Sequence, residues 1–164
     1  IGMAQRGGSV TSHVRIGDTA YSPLVPFGSA ALLLAFEPAE AVRNLKYLEP
    51  EGTAVVNSTA AAPVTESLRN SGYDGTDMTA YLRKKCHCIF VSSGDVSEQF
   101  GSDRFFNIYL LGVAAGSGVL GLSHETLLGE IGRRVPARYA DVNREAFEAG
   151  FALGKSKSTD AEKA

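Results

Sequence analysis

The sequence predicts an α/β domain with three layers, in which a mostly parallel central sheet is flanked by helices. The first observation is a strand–helix–strand pattern, because apolar runs at 31–36 and 53–57 enclose an amphipathic stretch that opens with Glu37-Pro38. Short, continuous apolar runs are typical of strands that are buried on both faces. The second observation is a third apolar run at 87–92, again preceded by a helical pattern. Strands that alternate with helices build a parallel sheet.

The stretch 9–16 predicts a half-buried strand before this unit. Its side chains alternate strictly between Val10, Ser12, Val14 and Ile16 on one face and Ser9, Thr11, His13 and Arg15 on the other. Such alternation, rich in β-branched residues, is typical of a strand with one face in the core. Turn residues follow at 17–19, and 20–23 predict a second strand that pairs back as a hairpin and ends at the following prolines. Residues 27–29 predict a loop.

The first three helices are placed by their caps and apolar spacing. Proline and a carboxylate suit the first turn of a helix, so Glu37-Pro38 predicts a helix start. Turn chemistry at 49–52 predicts that this helix stops there, before the strand at 53–57. A helix from Met78 to about Lys85 follows, and 95–100 predict one or two helical turns.

The C-terminal part predicts three longer helical segments. Residues 104–117 are apolar on nearly every side of the predicted helix, which indicates a buried helix. Asn107 is a polar residue inside this apolar segment. A buried amide must be hydrogen-bonded, so Asn107 is either a core residue or one that orients a neighbour at a site. Further helices are predicted from Ser123 to 134 and from 136 to 153. Residues 155–164 carry little apolar surface and predict a solvated tail.

Composition and charge exclude several classes of protein. A chain of 164 residues fits one domain with a substantial core. The net charge of −2 gives no electrostatic case for binding nucleic acid or an anionic membrane surface. No apolar run approaches the length of about 20 residues that a membrane-spanning helix needs.

The chain has two cysteines, which lie together as Cys86-His87-Cys88. Two thiols and an imidazole can form part of a metal site, but a zinc site needs a fourth ligand and an iron–sulfur cluster usually takes four cysteines. We therefore favour the interpretation that the cysteines are small buried apolar residues of a strand, and we predict no metal site. Free thiols suit a reducing compartment, so the expected location is the cytoplasm.

Two groups of residues are candidates for a functional site. The stretch Gln5-Arg6-Gly7-Gly8 places a permanent cation and an amide beside two residues without side chains. It predicts either a loop that contacts an anionic ligand or another subunit, or a plain turn with a solvated arginine. Glu37 and Asn57 follow two buried strands, where ligands gather in open α/β sheets. Local helix capping is the alternative for Glu37.

The stretch 2–17 identifies a family. Its sequence, GMAQRGGSVTSHVRIG, closely resembles the signature of the gamma domain of the 2-oxoacid:ferredoxin oxidoreductases, and in particular the beta subunit of the indolepyruvate enzymes. The stretches 21–26 (YSPLVP), 34–41 (LAFEPAEA) and 143–150 (NREAFEAG) support this resemblance. It covers nearly the whole chain up to Gly154, which implies a gamma-type domain over 1–154.

The resemblance implies a reaction and a division of labour. The family oxidatively decarboxylates 2-oxoacids with coenzyme A to acyl-CoA, carbon dioxide and reduced ferredoxin, and the indolepyruvate members imply aryl pyruvates as substrates. Thiamine diphosphate and [4Fe-4S] clusters would belong to a large partner subunit, because this chain lacks cluster cysteines and a Gly-Asp-Gly thiamine diphosphate motif. This chain would then be an accessory subunit that packs beside the active site and helps to form the coenzyme A channel.

On this interpretation the chain supplies no catalytic residue of its own. The site-facing loop that would contact cofactor or coenzyme A consists of Gln5, Arg6, Gly7, Gly8 and Ser9. Arg6 would pair with a phosphate, a carboxylate or an acidic residue of the partner. His13 and Arg15 are second choices, and the family often carries an asparagine at Asn107.

The resemblance also implies a segment that these residues do not contain. Family members usually begin with a strand, a Gly-rich loop and a helix before the motif, so we expect an unpaired strand position in the sheet unless another segment fills it. Two alternatives to the indolepyruvate subunit stay open. One is the gamma chain of a pyruvate or 2-oxoglutarate:ferredoxin oxidoreductase, and the other is a free-standing α/β module that binds anions or nucleotides.

Overall fold

The structure, a computed structural model, describes residues 9–18, 20–60 and 73–161. In these residues three parallel strands form an open sheet in the order β1 (Ala30–Ala35), β2 (Leu48–Asn57) and β3 (His87–Val91). Six helices flank this sheet, namely α1 (Pro38–Asn44), α2 (Thr76–Lys85), α3 (Ser93–Phe100), α4 (Phe106–Gly116), α5 (His124–Arg134) and α6 (Ala140–Ala161). The predicted three-layer α/β architecture is confirmed.

Each face of the sheet packs on its own core. Val55, Ile89 and Val91 point to one face, where they pack against α4 residues such as Leu110 and Val113. On the opposite face, the buried residues come from the strands and from α1 and α2, and they are Ala35, Ala41, Leu48, Ala54, Val56 and Leu82. Because side chains of a strand alternate between faces, both faces of β2 can be apolar only if helices cover both.

The start of β2 differs from the prediction. A short 3-10 helix, Leu45–Tyr47, follows α1, and β2 already begins at Leu48. The ladder pairs Ala30 with Leu48 and then Leu32 with Thr53, so residues 49–52 bulge out of the register. The turn predicted at 49–52 is therefore an irregularity inside the strand, which suits Pro50 because it cannot donate a ladder hydrogen bond.

The helix starts follow the capping chemistry of the sequence. The carboxylate of Glu37 accepts the backbone N–H of Glu40 at 2.9 Å, and Pro38 occupies the first turn of α1. Ser92 and Ser123 cap α3 and α5 in the same way. At α2 the structure differs slightly, since the helix begins at Thr76, and the carboxylate of Asp74 accepts the N–H of Thr76 at 2.9 Å.

Helices α4 and α6 approach each other backbone to backbone. A Cβ atom added at Gly150 would lie 2.1 Å from the carbonyl oxygen of Tyr109, and one at Gly116 would lie 2.1 Å from that of Phe151. Gly112 and Gly154 meet the opposite backbone equally closely. These four glycines therefore allow a helix contact that any larger residue would force apart.

The prediction of an N-terminal strand and hairpin is wrong. Residues 9–16 form no strand, and the ladder of the described sheet contains only β1, β2 and β3. Residues 20–29 run through bends and turns, although the loop at 27–29 is confirmed, with Gly28 at a φ of 69°. Burial alternates only over 11–14, and there it is inverted, because Thr11 and His13 are half-buried while Ser12 and Val14 are exposed. His13 is half-buried, whereas Val14 is 76% exposed and Ile16 is 70% exposed.

The last helix extends beyond the predicted boundary. α6 runs to Ala161, while the side chains of Lys155, Ser156 and Lys157 are exposed, so the predicted solvated tail is helical where the structure describes it. Within the ranges described above, no helix is long and apolar enough to cross a membrane.

Candidate functional site

The carboxyl end of β1 carries a connected group of polar side chains. Glu37 follows the strand, and its carboxylate accepts both the N–H of Glu40 and the hydroxyl of Tyr73. Glu40 in turn accepts hydrogen bonds from the hydroxyl of Ser9 and the guanidinium of Arg43. Ser9, the first described residue of the N-terminal segment, is thereby held at the first turn of α1, where ligands collect in α/β sheets.

The Tyr73 hydroxyl is held in its neutral form. Partial burial is the main cause that raises its pKa from 10.0 to about 12, and the hydrogen bond to the Glu37 carboxylate and its negative charge raise it further. A neutral phenol donates a hydrogen bond, and ionisation next to a carboxylate would replace that bond by repulsion. The pair therefore ties residue 73 to the start of α1 at neutral pH.

Asn57 joins the ends of all three strands. It is 6% exposed, and its amide nitrogen donates to the carbonyl oxygen of Phe36 at 3.0 Å and to the hydroxyl of Ser93 at 3.2 Å. Its amide oxygen accepts the N–H groups of Thr59 at 3.0 Å and Ser93 at 3.1 Å. Because these bonds occupy both ends of the amide, Asn57 holds the carboxyl ends of the strands in position. For Glu37, the structure favours the helix-capping alternative.

His13 and Arg15 attach the N-terminal segment to the following loop. The Nδ1 atom of His13 accepts the N–H of Val25 at 3.1 Å, and its ring meets the ring of Tyr47 edge-on at 5.0 Å. Arg15 donates to the carbonyl oxygen of Ser22 at 2.9 Å. Both side chains thus have structural partners within the chain, and the site role considered for them stays a prediction.

A long groove lies between the N-terminal segment 9–16 and the edge of β1 that faces away from β2. Its volume is about 1930 Å³, and the whole of β1 lines it. Tyr47 and Met78 contribute from the α1–α2 side of the sheet, and Leu111 and Leu120 from the opposite side. The group around Glu37 and Glu40 lies along the same groove.

Large apolar side chains are exposed on the N-terminal segment and the loop after it. We call this set the N-terminal apolar surface, and it consists of Val10, Val14, Ile16, Tyr21, Leu24 and Phe27, which are between 53% and 89% exposed. The ammonium group of Lys46 lies 5.2 Å from the centre of the Phe27 ring. Exposed apolar residues that cluster on one part of a chain typically mark a surface that binds another protein.

The two cysteines lie side by side at the start of β3. Their sulfur atoms lie 3.3 Å apart, and both side chains are half-buried and unoxidised. Burial, followed by the hydrogen bond with Cys86, raises the pKa of Cys88 to about 12. No cluster of three or more potential ligands occurs among the residues that the structure describes.

The structure tests only part of the predicted site. Gln5, Arg6, Gly7 and Gly8 lie outside the described residues, so their role stays a prediction, whereas Ser9 lies at the start of α1. Asn107 is exposed and accepts the N–H of Ile108, so the alternative that it is a core residue is wrong, whereas the alternative that it orients a neighbour at a site stays a prediction. It lines a small cavity together with Val135, Tyr139 and Asn143, close to the start of α6.

Three residues of the polar group, Glu40, Arg43 and Tyr73, were missed by sequence reasoning. Glu40 is spaced three residues after Glu37, which is the spacing of residues that meet in the first turn of a helix. That spacing could have indicated it. Tyr73 is far from both in sequence, and no local pattern predicts its contact with Glu37.

Comparisons with known proteins agree on one family. The family model described as pyruvate ferredoxin/flavodoxin oxidoreductase matches residues 1–153. The chain is 32% identical over 152 residues to the indolepyruvate oxidoreductase subunit IorB of Methanothermobacter thermautotrophicus, covering 92% of this chain and 77% of that protein. It is 33% identical over 152 residues to the IorB subunit of Archaeoglobus fulgidus, covering 92% of this chain and 75% of that protein.

A solved structure shares the fold. It is the gamma subunit of a keto/oxoacid ferredoxin oxidoreductase from Geobacter sulfurreducens, with a TM-score of 0.56 and 19% identity. The similarity covers 77% of this chain and 64% of that chain, which is less than two thirds of its length. The family match over nearly the whole chain and the two IorB relatives carry the assignment. This chain belongs to the pyruvate ferredoxin/flavodoxin oxidoreductase family.

Proposed function

We propose that this chain is the accessory subunit of an indolepyruvate:ferredoxin oxidoreductase. The complex would oxidatively decarboxylate aryl pyruvates with coenzyme A, giving aryl-acetyl-CoA, carbon dioxide and reduced ferredoxin. The observation that carries the subunit role is the N-terminal apolar surface, because Val14 and Ile16 are largely exposed on the segment that bears the family motif. The identity of 32–33% to IorB subunits supports the indolepyruvate type.

The redox groups would reside in a larger partner subunit. These 164 residues contain two cysteines, fewer than the four thiolates that a [4Fe-4S] cluster usually takes. The half-buried Cys88 also has a raised pKa, which disfavours the thiolate form that binds metal. The residues of this chain therefore do not fit a cluster, and its role would be to complete and cover the partner's site. Free thiols suit a reducing compartment, so we place the complex in the cytoplasm.

The motif residues before Ser9 would contribute the polar contact. Gln5, Arg6, Gly7, Gly8 and Ser9 would form a loop that faces coenzyme A or the partner, with Arg6 pairing a phosphate or a carboxylate. Ser9 supports this placement, because its bond to Glu40 holds it at the first turn of α1.

A second candidate is the gamma chain of a pyruvate or 2-oxoglutarate:ferredoxin oxidoreductase. The description of the matching family names pyruvate, and the similar solved chain is a keto/oxoacid gamma subunit. This candidate keeps the subunit role and changes only the substrate, which would be selected mainly by the partner.

Co-purification from native cells, followed by an acceptor-reduction assay, tests the proposal. Indolepyruvate, phenylpyruvate, pyruvate and 2-oxoglutarate would each be supplied with coenzyme A and either ferredoxin or a viologen. We expect a brown complex with a large subunit that reduces the acceptor with the aryl pyruvates. Activity with only pyruvate or 2-oxoglutarate would select the second candidate. A colourless monomer without a partner would overturn both and leave a free-standing binding module.

The variant Arg6→Ala tests the polar contact in that complex. Loss of a charge-assisted contact to a phosphate or carboxylate costs about 1.5–3 kcal/mol, so we expect about a tenfold or greater rise in the coenzyme A concentration for half-maximal rate, or weaker assembly. Arg104→Ala, at an exposed arginine of the 3-10 helix before α4, is the control and should behave as wild type. Unchanged coenzyme A dependence together with unchanged assembly would exclude a role for Arg6.

A further inference from the structure

The thiols of Cys86 and Cys88 form a pair that the proposed function does not use. Their sulfur atoms lie 3.3 Å apart, neither is in a disulfide, and both residues are half-buried rather than enclosed in the core. The backbone of Cys86 is extended, and residues two apart in an extended chain point to the same face. The chain therefore holds two soft sulfur ligands side by side on the face of the sheet that α1 and α2 cover.

Among the described residues, the pair has no third protein ligand beside it. His87, between the two cysteines in sequence, points to the other face of β3, where its Nδ1 atom lies 3.2 Å from the hydroxyl of Thr53. No group of three His, Cys, Asp or Glu side chains in the described parts of the chain could hold a metal ion. A structural zinc site takes four protein ligands, so these two thiols do not match one. An atom bound here would take its remaining bonds from water or from groups that it already carries.

The separation of the two sulfur atoms indicates the geometry of the atom that fits between them. With bonds of about 2.3 Å, the length of a zinc–thiolate bond, sulfurs 3.3 Å apart subtend an angle of about 90° at the bound atom. At the same bond length a tetrahedral ion would need sulfurs about 3.8 Å apart, and an ion bound linearly by two thiolates would need about 4.6 Å. So small an angle is instead typical of a trivalent, pyramidal atom with a lone pair, such as arsenic(III).

The surroundings of the pair leave it accessible and place a cation beside it. The guanidinium of Arg83 lies 4.4 Å from the centre of the ring of Phe90, the next residue on this face of β3. Partly exposed thiols near a cation are typical of reactive cysteines. Burial is the main cause that raises the pKa of Cys88 to about 12, while the charge of Arg83 acts in the opposite direction. That pKa disfavours a thiolate, but a condensation that starts from two neutral thiols does not depend on one.

We propose that Cys86 and Cys88 are a binding site for one trivalent arsenical, whose arsenic atom is held by both sulfurs. With an organic arsenoxide, two S–H bonds and the arsenic–oxygen double bond break, and two arsenic–sulfur bonds form. The two protons leave with the oxygen as water. No electrons are transferred, so the arsenic stays trivalent and the thiols are not oxidised to a disulfide. The site is separate from the N-terminal motif and does not rest on the proposed subunit role.

Differential alkylation of the unaltered protein, made from its complete gene, tests the site. The protein would be incubated with phenylarsine oxide and alkylated briefly with N-ethylmaleimide in urea, so that burial alone does not protect a thiol. Trypsin cuts after Lys85 and Arg104 and so releases both cysteines in the peptide 86–104. Relative to a sample without arsenical, we expect both thiols to be protected together. Dimercaptopropanol, a dithiol, should reverse the protection, whereas the monothiol mercaptoethanol should not.

Three results of this experiment would overturn the proposal. They are alkylation of both thiols as in the untreated sample, protection of only one thiol, and equal protection by Zn²⁺ alone. The first would show that the pair does not bind the arsenical, and the second that the bound arsenic uses a single sulfur. The third would show that the pair does not select a pyramidal atom over a tetrahedral ion.

Single variants separate a site with two sulfurs from a reaction at one thiol. Two linked contacts bind about a hundredfold or more tightly than one, so Cys86→Ser and Cys88→Ser should each bind phenylarsine oxide at least about a hundredfold more weakly. Protection of the remaining thiol measures this affinity, and circular dichroism checks that each variant is folded. The matched control is His87→Ala, which should keep wild-type affinity because its side chain lies on the other face. Wild-type affinity in either cysteine variant, or an equal loss in His87→Ala, would contradict the two-sulfur site.

Discussion

At the scale of single residues, the buried amide of Asn57 connects structure that is distant in sequence. Its four hydrogen bonds reach the end of β1 at Phe36, the start of α3 at Ser93 and the chain after β2 at Thr59. Each buried polar group that loses its partner costs about 1–3 kcal/mol. The amide therefore fixes the relative positions of the strand ends, along which the polar group around Glu37 is arranged.

Replacing this amide should destabilise the protein without a change in shape. For Asn57→Ala we expect the free energy of unfolding to fall by about 2–4 kcal/mol, because several buried N–H and C=O groups lose their partner at once. The control is Asn107→Ala, the same chemical change at an exposed position, which should cost less than about 1 kcal/mol. Urea unfolding measures both, and equal losses in the two variants would contradict the role assigned to Asn57.

The contact between Glu37 and Tyr73 predicts a dependence on alkaline pH. The pKa of a tyrosine is 10.0 in the unfolded chain, and that of Tyr73 is about 12 in the folded protein. The folded state thus holds the proton more tightly, so the contribution of this group to stability is fully present below pH 10 and is lost as the pH rises from 10 to 12. In ultraviolet titration, Tyr73→Phe should remove one tyrosine that ionises near pH 12, while Tyr109, whose pKa is also raised by burial, continues to ionise late.

A second variant separates the causes of this shift. In Glu37→Gln the hydrogen bond to a charged carboxylate and its repulsion are removed, while burial, the largest cause, remains. The pKa of Tyr73 should therefore fall only part of the way towards 10. An unchanged titration in Glu37→Gln would show that the carboxylate does not influence the phenol.

The site residues show what sequence reasoning could and could not reach. Glu37 and Asn57 could be placed at strand ends from the apolar runs alone, because chain order fixes which end of each strand they follow. Their partners could not, since Tyr73 and Ser93 lie 36 residues further along and meet them only after folding. The expected burial of Asn107 was wrong for another reason, because an all-apolar pattern does not show which side of a helix remains exposed.

At the scale of elements, the pairing of α4 with α6 depends on backbone contact. Gly112 and Gly116 on α4 and Gly150 and Gly154 on α6 each lie where a Cβ would meet a backbone carbonyl at 2.1–2.3 Å. Real atoms do not approach so closely, and a backbone atom cannot rotate away as a side chain can. Separation of the helices would also disturb Phe147, which is fully buried between them and α5.

Alanine at one of these glycines should therefore be destabilising, although alanine favours helices. For Gly150→Ala we expect a loss of at least about 2 kcal/mol, because overpacking outweighs the gain of about 0.5–1 kcal/mol in helix propensity. The control is Gly132→Ala in α5, where nothing lies within 4 Å, and it should be neutral or stabilising. Thermal unfolding compares the two, and a stable Gly150→Ala would show that the helices are not in close contact.

Most helices and strands could be predicted from local sequence patterns, but the strand expected at 9–16 could not be confirmed in this way. The three sheet strands follow from local apolar runs, and the starts of α1 and α5 follow from Glu37 and Ser123, whereas α3 begins at Ser93, two residues before its predicted start. Segment 9–16 has an equally clear local pattern, but a strand needs a neighbour, and the pattern does not say whether one is present. The inversion of its faces arises because His13 and not Val14 turns towards Tyr47.

At the scale of the whole molecule, the N-terminal segment combines two features. All of residues 9–16 line the groove beside β1, and three of them, Val10, Val14 and Ile16, belong to the N-terminal apolar surface and are more than half exposed. A partner subunit that covers this surface would contact the residues adjoining the motif loop. Assembly and site formation would then be coupled, because the segment that binds the partner is the one that leads to Gln5–Ser9.

The double variant Val14→Ser/Ile16→Ser tests this coupling. Both side chains are more than two-thirds exposed, at 76% and 70%, so we expect the stability of the isolated chain to change by less than about 1 kcal/mol. Burying one such side chain at an interface contributes about 1.5–3 kcal/mol, so affinity for the large subunit should fall at least about tenfold. The control is Tyr81→Ser on α2, 45% exposed and outside the N-terminal apolar surface, which should assemble normally. Titration with the purified large subunit gives both affinities. Wild-type affinity of the double variant would place the partner on another face, while equal losses in the variant and its control would indicate a general effect on solubility.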